Sequence, residues 1–100
     1  MNVFISQPMR GKTDDEIMAA RGKAIDEVTA LYADKGPVEI LDSWFSDFDG
    51  NAVQFLGRSI SLLGEADLAV FLPGWNKARG CRIEELVANT YDIECLYPSD

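Results

Sequence analysis

The sequence predicts an α/β domain, a flavodoxin-like, Rossmann-like three-layer sandwich built on a parallel sheet of about four strands in the order 2-1-3-4. Three observations predict it. Short apolar runs at residues 3–5, 38–41, 68–72 and 95–97 alternate with longer stretches of helical period, which gives β-α-β-α-β-α-β. Strands separated by helices pair in parallel through right-handed crossovers. A length of 100 residues suits one domain, here residues 1–100, and no repeat or linker divides it.

Residues 3–5 (Val-Phe-Ile) start a short buried strand, and Ser6-Gln7-Pro8-Met9-Arg10-Gly11-Lys12 follows as a loop, broken by Pro8 and Gly11. Thr13 and Glu16 have the spacing of a capping box, and Asp14 and Asp15 complement a helix start. That helix is expected over residues 14–34, with Ile17, Ala24, Ile25, Val28, Leu31 and Tyr32 as its apolar stripe. Gly36-Pro37 stops it. After the second strand, residues 42–50 read as a polar loop carrying Trp44, Phe45 and Phe48. Asn51 caps a second helix over residues 52–64, with Val53, Leu56, Ile60 and Leu63 inward. Asp67 precedes the third strand. A loop from Pro73 to Gly80 leads into a third helix over residues 83–91, with Ile83, Leu86, Val87 and Tyr91 toward the core. The last strand is 95–97.

An apolar fraction of 47% permits a core, though a small one, and small size makes a homo-oligomer the expected assembly. No apolar run approaches the roughly 20 residues of a membrane span, and the first residues lack the basic start and apolar region of a signal peptide. The net charge of -8 argues against nucleic acid as the partner. The cations are nevertheless clustered, with Arg10 and Lys12 in one loop and Lys77, Arg79 and Arg82 in another. A local positive pocket on an acidic protein suits a small anionic ligand. The chain has no His and only Cys81 and Cys95, so zinc sites and His-based acid–base chemistry are not expected. No metal or cofactor is implied, and the expected compartment is the cytoplasm.

In the 2-1-3-4 order the switch point lies between the first and third strands, and ligands bind beyond the carboxyl ends of strands there. The loops after those two strands are the ones that hold the cations. Arg10-Gly11-Lys12, just before a helix start, has the groups to hold a phosphate; the plainer reading is a solvated turn. Glu84 and Glu85 are expected in the first turn of the third helix. They read either as acids complementing its dipole or, for Glu84, as a carboxylate kept ionised by the helix start for nucleophilic attack. Trp75 sits in the crevice loop, where an indole can stack a base. Cys81 reads as a small packing residue.

Val3-Phe4-Ile5-Ser6-Gln7-Pro8-Met9-Arg10-Gly11 forms one motif. Ala66-Asp67, Pro73-Gly74-Trp75 and Ala78-Arg79-Gly80-Cys81-Arg82-Ile83-Glu84 form a second. With both, the chain resembles the nucleoside 2-deoxyribosyltransferase-like superfamily, which includes transferases and 2′-deoxynucleoside 5′-phosphate N-hydrolases. It looks closest to a small, largely uncharacterised branch common in phage and bacterial genomes, the DUF4406 family. The resemblance to that branch spans essentially the whole chain; that to the characterised enzymes is confined to the two loops.

The resemblance implies an enzyme acting on the N-glycosidic bond of a nucleotide or nucleoside. Counted from Gly80, the carboxylate that attacks the anomeric carbon falls on Glu84, and Ala88 matches the small residue one turn later. Arg10 and Gly11 match the pair that holds the 5′-phosphate, with Lys12 beside them. Gln7, Pro8, Met9, Trp75, Arg79, Gly80 and Arg82 are the further residues expected around the substrate. Two departures stand out. Ser59 occupies the place of a catalytic Asp, with Asp42, Asp47 and Asp67 as alternative acids. The chain also offers little beyond its last strand to complete a neighbouring subunit's site. A protein that binds a nucleotide-like ligand in the same crevice without turning it over is the alternative.

Overall fold

The structure, a computed structural model, describes residues 1–41 and 50–99. In chain order these form β1 (Asn2–Ser6), α1 (Asp14–Leu31), a 3₁₀ turn (Ala33–Lys35), β2 (Glu39–Ile40), α2 (Ala52–Leu63), β3 (Leu68–Phe71), a second 3₁₀ turn (Trp75–Lys77), α3 (Arg79–Thr90) and β4 (Glu94–Leu96). All strand pairs are parallel and the sheet order is β2-β1-β3-β4, so the α/β sandwich and its expected topology are present. No helix among the described residues is long and apolar enough to cross a membrane. The aromatics Trp44, Phe45 and Phe48 and the alternative acids Asp42 and Asp47 lie outside the described residues.

The period of two along a strand sorts the core into two layers. Val3 and Ile5 of β1, with Leu68 and Val70 of β3 and the adjoining Leu72, pack under Ala24 and Val28 of α1. Phe4, Ala69 and Phe71 face the other way and pack against Leu63 of α2 and Ala88 of α3. Ser6 has the parity of Phe4, so its hydroxyl projects from the end of β1 toward the α2–α3 layer. Register Val3↔Leu68 through Ser6↔Phe71 brings the ends of β1 and β3 level, and the two following loops meet. Their closeness is tight at Gly74, where an added Cβ would lie 3.4 Å from Cγ of Pro8. Gly74 also has φ of +90°, a left-handed conformation that favours glycine.

Several expectations about helix faces are corrected. α1 ends at Leu31, not near residue 34, and Leu31 is 64% exposed. Eighteen residues of helix span ~27 Å, whereas a five-residue strand spans about 16 Å, so the last turn overhangs the sheet. In α2 the inward stripe is Leu56, Ser59 and Leu63, while Val53 is 78% exposed. In α3 it is Cys81, Glu84 and Ala88; Ile83, Leu86 and Tyr91 are exposed and Val87 is half-buried. Both helices are rotated the same way, each presenting a polar side chain to the other across the end of β1. Ala88, fully buried, allows α3 to sit close over Phe4 and Phe71. α3 also begins at Arg79, four residues earlier than expected, because the chain completes its turn within Gly74 and the 3₁₀ turn. Glu84 is therefore beyond the first helical turn.

Candidate functional site

A cavity of about 590 Å³ opens beyond the carboxyl ends of β1 and β3. Its volume lies within the range of small-molecule sites. Three stretches line it: residues 4–10, the inner face of α2 through Ala52, Phe55, Leu56 and Ser59, and Gly74 with residues 77–81 and Glu84. Of the residues expected at the site, the cavity gathers Gln7, Pro8, Met9, Arg10, Arg79, Gly80 and Glu84. Lys77, noted in the sequence as a clustered cation, joins them. Gly11, Lys12, Trp75 and Arg82 do not line it.

Each displaced residue has a local reason. Gly11, with φ of +79°, turns the chain so that Lys12 N–H donates to the Met9 carbonyl at 3.1 Å. This turn leaves Arg10 at the cavity and carries Lys12 past it. Trp75 was expected against a base; its indole instead packs among Phe71 and Tyr97, with ring centroids 5.9 and 5.5 Å away. Phe71 and Tyr97 stack at 5.8 Å, so the three rings fix the outer side of the loop that carries Lys77. Arg82 is exposed on α3. Glu85 accepts from Tyr97 Oη and Asn89 Nδ2, both at 2.7 Å.

Glu84 is 7% exposed and accepts a hydrogen bond from Ser6 Oγ at 2.6 Å. Burial pushes its carboxyl above the usual carboxylate range; the hydroxyls of Ser6 and Ser59, acting as donors, pull the other way. The expectation that a helix start keeps it ionised is thereby corrected: Glu84 lies too far along α3 and too deep for the dipole to dominate. Cys81, one turn earlier on the same stripe, is buried against Ser6, and burial pushes its thiol up to about 11. It is protonated at neutral pH and a poor nucleophile. Asp67 is removed from this chemistry. Its Oδ2 accepts from Asn2 N–H at 2.7 Å at the far end of the sheet.

Residues that the sequence did not mark for these roles complete the site. Phe55 and Leu56, with Pro8 and Met9, give the cavity an apolar lining beside the buried carboxyl and the exposed Arg10, Lys77 and Arg79. Ser6 and Ser59 become partners of Glu84, and the signal was present: Ser6 shares strand parity with Phe4, and Ser59 shares helix phase with Leu63. Arg21 is buried on α1 at a position of the apolar stripe. The start of α3 also faces the cavity. Ala78 provides no side-chain cap, and the first turn carries no acid. The unpaired backbone N–H groups of such a turn favour an anion. Among the described residues no cluster of His, Cys, Asp and Glu could hold a metal ion. The arrangement can take a ligand with an anionic end at the rim, an apolar or planar middle, and a polar group against a buried carboxyl. In comparisons with known proteins, no family model, no curated protein and no solved structure matches the chain.

Proposed function

We propose that the protein binds a nucleoside 5′-monophosphate or a closely related nucleotide in this cavity and acts on its N-glycosidic bond, by hydrolysis or deoxyribosyl transfer. The observation that carries the proposal is a buried carboxyl, Glu84, in a cavity also lined by the exposed Arg10, Lys77 and Arg79. In this reading the phosphate meets Arg10 and the open start of α3, where charge-assisted hydrogen bonds are strongest. The base lies against Phe55, Leu56 and Met9; the Glu84 carboxylate attacks the anomeric carbon as its bond to the base nitrogen breaks, the freed base takes a proton from solvent, and water or an acceptor base then displaces Glu84. Ser6 and Ser59 orient Glu84 and favour its charged form. A homo-oligomer in the cytoplasm belongs to the same proposal, and exposed Ile83 and Leu86 on α3 give it apolar surface for association.

One observation favours the alternative, binding without turnover. Ser59 interacts with Glu84, and no second carboxylate lines the cavity among the described residues to protonate a departing base. The two readings separate in one experiment. Wild type and Glu84→Gln are incubated with deoxynucleosides and their monophosphates, released base is followed by chromatography, and binding by calorimetry. Slow release by wild type, abolished in Glu84→Gln with affinity retained, is the expected result. Binding by both proteins with release by neither leaves a binding protein. Absence of binding to every nucleotide rejects both readings.

A further inference from the structure

Arg21 is the most deeply buried cation among the described residues, 7% exposed between Ile17 and Ala24 on the sheet-facing stripe of α1. A guanidinium there is retained only where hydrogen bonds compensate its lost hydration. Its fork reaches one side-chain amide and one backbone carbonyl. Nη1 donates to Gln7 Oε1 at 3.3 Å, and Nη2 donates to the carbonyl of Leu41, just past β2, at 3.3 Å. Gln7 in turn donates from Nε2 to the Ile17 carbonyl at 3.0 Å. Both ends of the Gln7 amide are thus engaged by α1, and Gln7 is itself buried. Immediately after Gln7 come Pro8, Met9 and Arg10, which line the cavity.

We propose that Arg21 is a positioning residue: through the Gln7 amide it sets where the Pro8–Met9–Arg10 wall stands, and through Leu41 it ties that wall to the end of β2. Gln7, itself part of the cavity lining, is then a brace between α1 and the wall. A planar fork suits this task because it fixes two acceptors at a set angle, which a lysine ammonium does not. The effect on affinity rests on the nucleotide reading of the cavity; the effect on the loop does not.

The test uses the whole chain labelled with ¹⁵N, in wild type, Arg21→Met, Arg21→Lys, Gln7→Met and the double variant Gln7→Met/Arg21→Met. Backbone amide signals of residues 9–12 report the wall, and titration with thymidine 5′-monophosphate reports affinity. Arg21→Met and Gln7→Met should each shift those amides and weaken the nucleotide by about tenfold while circular dichroism stays native. The losses in the double variant should be less than additive, because the two side chains share one contact. Arg21→Lys should fall between wild type and Arg21→Met. Unmoved amides in a folded Arg21→Met, or additive losses in the double variant, overturn the proposal. Should Arg21→Met fail to fold, an Arg21→Lys indistinguishable from wild type overturns it. Should wild type bind no nucleotide, the proposed function falls and the amide shifts alone decide the role of Arg21.

Discussion

α1 and α3 both follow a central strand, yet their first turns are built in opposite ways. At α1, Thr13 Oγ1 accepts from Glu16 N–H at 3.2 Å and Glu16 Oε1 accepts from Thr13 N–H at 3.0 Å, with Asp14 and Asp15 alongside. At α3, Ala78 has the extended backbone of a capping residue and no side chain to cap with, and Lys77 and Arg79 flank it. One helix start is satisfied from within; the other is left to be satisfied by something else. Each helix also carries a glutamate near the start, again contrasted. Backbone and side-chain hydrogen bonds to Thr13 hold the exposed Glu16 below the ordinary carboxyl value, whereas burial raises Glu84 above it. In the proposed site an omitted cap acts alongside an added charge.

The sharpest way to break the contrast is to give α3 the cap it lacks. Ala78→Asp fits the existing extended backbone and supplies a carboxylate to the open N–H groups. It should raise the melting temperature and weaken thymidine 5′-monophosphate by about tenfold or more in calorimetry, through occupation and like-charge repulsion. Unchanged affinity would remove the start of α3 from the site. The converse variant, Thr13→Ala, should lower stability by about 1 kcal/mol in urea unfolding and leave nucleotide affinity alone. A loss of affinity there would show that the two starts act together.

The smallest effect is in pH dependence, and it has opposite signs at the two glutamates. Glu84 has a folded pKa above its unfolded value, so the folded state holds the extra proton between them. Its contribution is fully present below the ordinary value of 4.5 and declines as pH rises through the folded pKa. Glu16 has a lowered folded pKa, so its contribution is present above 4.5 and is lost as pH falls through the folded value. Urea midpoints followed from about pH 3 to pH 8 should therefore decline less toward high pH in Glu84→Gln than in wild type. Glu16→Gln should flatten the acid side instead.

The strand pattern made the topology legible, and with it the meeting of the two loops. Apolar runs that short and that continuous can be buried only in a sheet covered on both faces. That Arg10, Arg79 and Glu84 line one cavity was legible because loop position and sequence motif pointed the same way. The helix faces were not. Counting Ile83, Leu86 and Tyr91 as the core side of α3 assumes that apolar residues decide the rotation of a helix. Here a polar contact decides it: Glu84 reaches Ser6, small Ala88 permits close approach, and three large apolar side chains are left outside. Arg21 was missed for the related reason that a charged residue on an apolar stripe looks like an interruption. Trp75 was misplaced because its partner Tyr97 belongs to the end of the chain, which local pattern cannot bring next to it.

The clasp between Asn2 and Asp67 has a consequence for how the molecule comes into being. Asn2 N–H donates to the Asp67 carboxylate and Asp67 N–H donates to the Asn2 carbonyl at 2.8 Å, closing a loop of 65 residues at the head of the central strand pair. Nothing sequential can stand in for that closure, since β1 finds its neighbour β3 only after two helices have been made. The hydroxyl of Ser6 waits longer still, for a carboxylate 78 residues away. A chain cut before α3 lacks Glu84 and β4, and with them the buried carboxyl of the cavity and the last strand of the sheet.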